Sequence, residues 1–332
     1  MNRILTLSGA GFEAARSLAA STAPHTQGLH GHSFRLSVRH PHLALATLRE
    51  AVHTAVAPFD YRHLNQALAN PDNATLIAAL ADRLPEGCQL KLNAAPGEAI
   101  LRTEQGEHLT VFSTAFEAAH QLPHVPAGHQ CGRLHGHGFG VTLLARATTS
   151  VSALRTAWQP LFTLLNHSYL NQHAGLENPT SEVLAAWLWH RLRDTLPDLA
   201  GVTVRETASA GSHFNGQNFR IWKTQRFEAA TPFDDQGRYT GHSYALSLHL
   251  AGDLDEVMGW VLDFGDVKAR FKPFYAALDH HALDTVAGMG TPDCAGIATW
   301  ALAQLAPSTP SLVRADVYQN DLDGALVWRG AA

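Results

Sequence analysis

His30-Gly31-His32, His135-Gly136-His137 and Thr240-Gly241-His242 stand 105 residues apart each time. The same landmarks surround each copy. Upstream lie Phe12-Glu13-Ala14-Ala15-Arg16, Phe116-Glu117-Ala118-Ala119-His120 and Phe227-Glu228-Ala229-Ala230-Thr231. Downstream lie Asp60-Tyr61, Asn166-His167 and Asp279-His280, each followed by a leucine at 64, 170 and 283. Solenoid units repeat every ~20–50 residues, so this period is too long for one. It suits a small domain. The chain therefore reads as three tandem copies of one domain, over 1–105, 106–222 and 223–332.

Each copy reads strand, strand, helix, helix, strand, strand. Phe-Glu-Ala-Ala is taken to open the first strand, and the His-Gly-His segment, alternating with period two, is the second. Leu, Val and Trp at three-and-four spacing predict helices over 45–57, 151–164 and 265–277. Further helices follow Pro71, Pro179 and Pro292, residues that suit a helix start. Third strands are expected at 88–93, 201–207 and 312–319, and fourth strands at 99–103, 218–222 and 325–328. With no Pro/Gly/Ser-rich linker between copies, their sheet edges are expected to pair rather than lie open.

Composition narrows the function. A formal net charge of −5 with no Lys/Arg run argues against a nucleic-acid footprint. No stretch of apolar residues is long enough for a membrane span, and the N-terminus lacks a signal-peptide core. Three cysteines at unrelated positions make no disulfide framework, so the expected compartment is a reducing cytoplasm. The 21 histidines are the compositional outlier.

The second copy concentrates the chemistry. His135 and His137, two apart on a strand, leave the same face. His120, ending the preceding strand, would stand opposite them across a hairpin. Three imidazoles so placed suit Zn²⁺ with an open fourth position. Cys131, close to the metal and to Arg133, would be a base or nucleophile with a lowered pKa, a fourth zinc ligand, or a spectator thiol. Glu206 suits a bidentate contact with a guanidine-like heterocycle edge.

Phe116-Glu117-Ala118-Ala119-His120, Cys131-Gly132-Arg133-Leu134-His135-Gly136-His137, Glu177-Asn178-Pro179-Thr180-Ser181-Glu182 and Glu206-Thr207 resemble the 6-pyruvoyl-tetrahydropterin synthase superfamily. The likeness is nearest to its 6-carboxy-5,6,7,8-tetrahydropterin synthase branch. It covers nearly all of the second copy and, through Gly259-Trp260-Val261-Leu262-Asp263-Phe264 and Leu278-Asp279-His280-His281, the middle of the third.

The resemblance implies an α+β tunnelling fold, with three ββααββ units closing one antiparallel barrel, helices outside. It also implies a monomeric pseudo-trimer or a dimer of stacked rings. The implied activity is zinc-dependent conversion of 7,8-dihydroneopterin triphosphate to 6-carboxytetrahydropterin. The runners-up are pyruvoyl-tetrahydropterin synthesis and a non-catalytic pterin- or zinc-binding descendant. By the same resemblance His120, His135 and His137 hold Zn²⁺, and Cys131 with Asp279 and His280 is catalytic. Glu206, Thr180 and Glu182 bind substrate. Because Asp279-His280 is complete only in the third copy, one site is expected between copies two and three.

Overall fold

The computed structural model describes residues 1–19, 21, 24–234 and 236–330. The first third of the chain forms β1 (Arg3–Arg16), β2 (His30–His40), α1 (Leu45–Val56), β3 (Arg62–His63), α2 (Asn73–Ala81), β4 (Gln89–Ala95) and β5 (Glu98–Arg102). The second repeats this order in β6 (His108–His120), β7 (His135–Arg146), α3 (Val151–Leu165), β8 (Ser168–Tyr169), α4 (Ser181–Leu192), β9 (Leu199–Thr207) and β10 (Ala210–Phe214). The last repeats it again in β11 (Phe219–Pro232), β12 (Tyr239–Gly252), α5 (Phe264–Leu278), β13 (His281–Ala282), α6 (Cys294–Leu305), β14 (Leu312–Tyr318) and β15 (Gly324–Trp328).

The long strands run in the order β10-β9-β7-β6-β5-β4-β2-β1-β15-β14-β12-β11, and β10 pairs with β11 to close the ring. All these pairings are antiparallel, including the three joins between thirds: β5 with β6, β10 with β11 and β15 with β1. Closure leaves no long edge unpaired. Helices cover the outside. Phe139, Val141, Leu143 and Ala145 of β7 alternate into a core shared with Leu154 and Trp158 of α3 and Leu184 and Leu188 of α4. The other two thirds have equivalent clusters of their own. The prolines singled out in the sequence sit just before the N-caps: Asp72, Thr180 and Asp293 accept the amides of Thr75, Val183 and Gly296.

Two expectations are corrected. Phe-Glu-Ala-Ala closes the first strand of each third instead of opening it, because the strand begins about ten residues earlier to pair with the preceding unit. Residues 218–222 are not the fourth strand of the second copy. That strand is β10, and β11 runs unbroken through 222, so the expected join at 222/223 falls inside a strand. Among the described residues no helix is long and apolar enough to cross a membrane.

Phe139 is fully buried and stacks on Phe116 at 5.2 Å. Phe139→Ala is expected to lower unfolding stability by about 3–5 kcal/mol, measured as a shift in denaturant midpoint.

Candidate active site

Strand register builds the histidine cluster. His120, the last residue of β6, pairs directly with His135, the first of β7, and His137 follows on the same face. The Nε2 atoms of His120 and His137 are 3.1 Å apart. The ligand atoms of all three residues lie within 4.8 Å of one another. Each Nδ1 faces a backbone carbonyl, of Pro179 for His120, Arg133 for His135 and Gly138 for His137. A carbonyl only accepts, so each Nδ1 carries the proton and each Nε2 lone pair points into the shared space. Three converging lone pairs repel unless a cation sits among them. The donor set therefore fits a metal ion, and the carbonyls supply the outer support such ligands need. Burial, then its two histidine neighbours, pushes His120 down to about 4, so it is a neutral donor near pH 7.

The other thirds lack this set. Arg16 replaces the first histidine, is 3% exposed, and donates to Pro71 O at 2.8 Å, much as His120 donates to Pro179. His30 and His32 keep their Nδ1–carbonyl bonds while their Nε2 atoms are buried without partners. A guanidinium thus brings a fixed positive charge to a position where the second third offers a metal ligand. In the last third Thr231 bonds Tyr244 instead. Among the described residues His120, His135 and His137 form the one group able to hold a metal.

Beside the cluster, a cavity of about 190 Å³ opens on the seam between the second and last thirds. Cys131, Thr180, Glu182 and Glu206 line it from one side, and Trp260, Leu262, Asp263 and Phe264 from the other. Glu206 Oε1 lies 3.8 Å from His137 Nε2, so the carboxylate and the histidine cluster share this space. Burial raises the Glu206 carboxyl above its usual range. Cys131 is also raised, by burial and then by Glu206 and Asp263. That is opposite to the lowering expected from a metal and Arg133, because burial and then two facing carboxylates disfavour the thiolate. Its sulfur is not part of the histidine group, which sets aside the fourth-ligand reading for this geometry.

Thr180 and Glu182 do more than line the cavity. Thr180 Oγ1 donates to Gly259 O at 2.6 Å, and Glu182 Oε1 accepts from Val261 N at 3.2 Å. Asn178 adds a bond to Met258 O. These residues clamp the neighbouring 258–261 segment, holding Trp260 and Asp263 against the cavity.

Sequence reasoning assigned no role to His129 and Asp263. His129 Nδ1 accepts the Cys131 amide, so its Nε2–H faces Asp263 Oδ2 at 3.5 Å. Asp263 in turn caps α5 through the amides of Gly265 and Asp266. The pair ties the Cys131 loop to the next unit. The usable signal was Asp263 preceding a helical run, the pattern of an N-cap.

Asp279 and His280 lie elsewhere. Among the described residues neither lines the Cys131 cavity; His280 lines an open depression with Glu228, Gly241 and His281. Asp279 accepts the Glu228 amide at 3.0 Å, as Asp60 does for Glu13 and Asn166 for Glu117. The next residue in each case has a positive φ: Tyr61, His167 and His280. The acidic position is thus a backbone acceptor that Asn fills equally well. His280 bonds Asp279 at 3.0 Å but its side chain is 77% exposed.

A model of the 6-pyruvoyl tetrahydropterin synthase family matches residues 109–217 and again 220–329. The chain belongs to this family. The match begins after the first third, where Arg16 has replaced the histidine. A 6-carboxy-5,6,7,8-tetrahydropterin synthase of Synechocystis sp. is 40% identical over 114 residues, covering 30% of this chain and 87% of the relative. The 6-pyruvoyl tetrahydropterin synthase of Caenorhabditis elegans aligns at 16% identity and TM-score 0.30, over 34% of this chain and 96% of its own. A uricase from Bacillus fastidious aligns at 9% identity and TM-score 0.32, over 72% of this chain and 92% of its own. TM-scores this low carry no weight for the fold, which rests on the strand pairings above.

Two outcomes follow for this family member. Metal analysis of the wild type is expected to give one ion per chain, rising toward two in Arg16→His if the guanidinium alone bars the first site; an unchanged value would mean the first third has lost more than one ligand. Glu182, fully enclosed, is raised by burial to about 7 from an ordinary 4.5. A folded-state value above the unfolded one means its contribution is fully present below pH 4.5 and is lost as pH rises toward 7. Glu182→Gln is expected to flatten that loss, at most about 1.4 kcal/mol per pH unit, in denaturation curves taken across the window.

Proposed function

We propose that the chain is a zinc-dependent 6-carboxy-5,6,7,8-tetrahydropterin synthase. It would convert 7,8-dihydroneopterin triphosphate to 6-carboxytetrahydropterin, releasing acetaldehyde and triphosphate, in the reducing cytoplasm and on the route to 7-deazaguanine compounds such as queuosine. The observation that carries this reading is a thiol and a buried carboxylate lining one cavity at a seam between units, with three converging histidines beside it. The likeness to the Synechocystis synthase supports the carboxy branch.

Zn²⁺ on His120, His135 and His137 would supply a Lewis acid that polarises a substrate side-chain oxygen. Glu206 takes the aminopyrimidine edge of the pterin and fixes its orientation, with Lys223 beside it on the cavity wall. Cys131 moves protons at the side-chain carbons in its thiolate form. Because burial and then the neighbouring carboxylates raise the thiol, the metal's charge is what would bring it into range. His129 and Asp263 hold the Cys131 loop at its distance from the pterin. Thr180 and Glu182 act chiefly by fixing the wall that carries Trp260. Pyruvoyl-tetrahydropterin synthesis would draw on the same residues and differs in product.

Asp279 and His280 enter this scheme only from a second chain, stacked on the first, whose exposed His280 serves as acid/base partner. Cys131→Ala is expected to lower turnover of 7,8-dihydroneopterin triphosphate by at least about 10²-fold with metal content unchanged; loss of the metal would move the thiol into the ligand set. Mixing inactive Cys131→Ala and His280→Ala chains should restore part of the turnover, since one site then has both groups. No recovery, with each parent folded, would confine catalysis to a single chain.

A further inference from the structure

The barrel interior carries its own charge pattern. Leu36 and Val38 on β2, Leu90 and Leu92 on β4, and Val202 and Val204 on β9 are buried under the helices. Strand alternation therefore sends Arg39, Lys91 and Arg205 inward. Ile221 of β11 and Ala315 and Val317 of β14 likewise face the helices, so Arg220 and Arg314 point inside. The walls are close enough for these cations to feel one another across the lumen. Burial lowers Lys91 first, and then Arg39 and Arg205 add to it, although three strands separate β4 from β9 in the ring. Arg220, lowered to about 10, is pushed by burial, by Arg314 and by Arg39 from the opposite wall.

By the same alternation Glu13, Glu117, Glu228 and Asp316 also turn inward, so acid answers only part of this charge. Asp316 is 2% exposed and committed to His249 at 3.0 Å and Arg314 at 2.7 Å. Among the described residues the side chains of Arg39, Lys91, Arg205 and Arg220 make no hydrogen bond or ion pair, and Arg220 Nε is buried unsatisfied. At one mouth a space of about 740 Å³ is lined by Arg35, Arg226, Tyr318 and Asp321. Among the described residues neither guanidinium has a partner there. Glu228, near this mouth, is held by Ser243. The chain as a whole is acidic, at −5, so the inward basic excess is local.

We propose that the barrel lumen is a binding site for a linear oligophosphate anion, separate from the Cys131 cavity. Guanidinium groups match phosphate oxygens two at a time, and cations on opposite walls need an anion with charge along its length. The same phosphate chain occurs free or as the tail of a nucleotide ester.

The test is equilibrium dialysis of the full, metal-loaded chain with radiolabelled tripolyphosphate. Metal content is measured afterwards so that chelation is separated from binding. Wild type is expected to bind one anion per chain, more weakly as salt rises. The Arg39→Gln/Arg220→Gln variant should bind at least about tenfold more weakly. Lys223→Gln, in the other cavity, should leave binding unchanged. Lys91→Gln alone should also weaken it, should the double variant fail to fold. Adenosine triphosphate binding as tightly would assign the site to an ester tail, and weaker binding would assign it to the free anion. Equal binding in the luminal variants, loss in Lys223→Gln, or no binding in wild type would overturn the proposal.

Discussion

A β-sheet in water has to dispose of its edge strands, and this chain does so by closing the sheet on itself. Each third contributes four long strands, and alone it would leave two edges bare. Pairing β5 with β6, β10 with β11 and β15 with β1 removes them all. The seams are consequences of that closure, and the cavity with Cys131 and Glu206 is one of them. Its walls come from two units because neither unit is complete at its edge. Thr180 and Glu182 show how the seam is fixed, by bonds from one helix start to a backbone segment of the neighbour.

Once three units share one chain, each is free to lose what the others keep. The first third has Arg16 in place of His120, and the guanidinium stays buried by taking over the corresponding carbonyl. The last third has Thr231 bonded to Tyr244. These replacements satisfy local hydrogen bonds, so the fold tolerates them. What the thirds retain is the acceptor that follows the first helix, Asp60, Asn166 or Asp279, and the positive-φ residue after it.

Much of this was legible in the sequence. The 105-residue step gave three units, period-two alternation gave the second strands, and the offsets of His120, His135 and His137 gave the histidine cluster, because register on a hairpin converts spacing directly into proximity. The starts of the first strands were missed, since a strand whose partner lies in another unit carries no local turn signal. The fourth strand of the second unit was misplaced onto 218–222, because two strands separated by a tight turn read alike. Asp279-His280 was read at the seam of the second and third copies, whereas among the described residues neither lines the Cys131 cavity. Sequence order says which unit holds a residue but not which end of a barrel it faces. His129 and Asp263 were passed over because their meeting depends on the seam itself.

The most direct measurement is mass spectrometry of what the zinc-loaded protein makes from 7,8-dihydroneopterin triphosphate. The account expects 6-carboxytetrahydropterin together with acetaldehyde. Unchanged substrate, from folded protein with one zinc per chain, would contradict it.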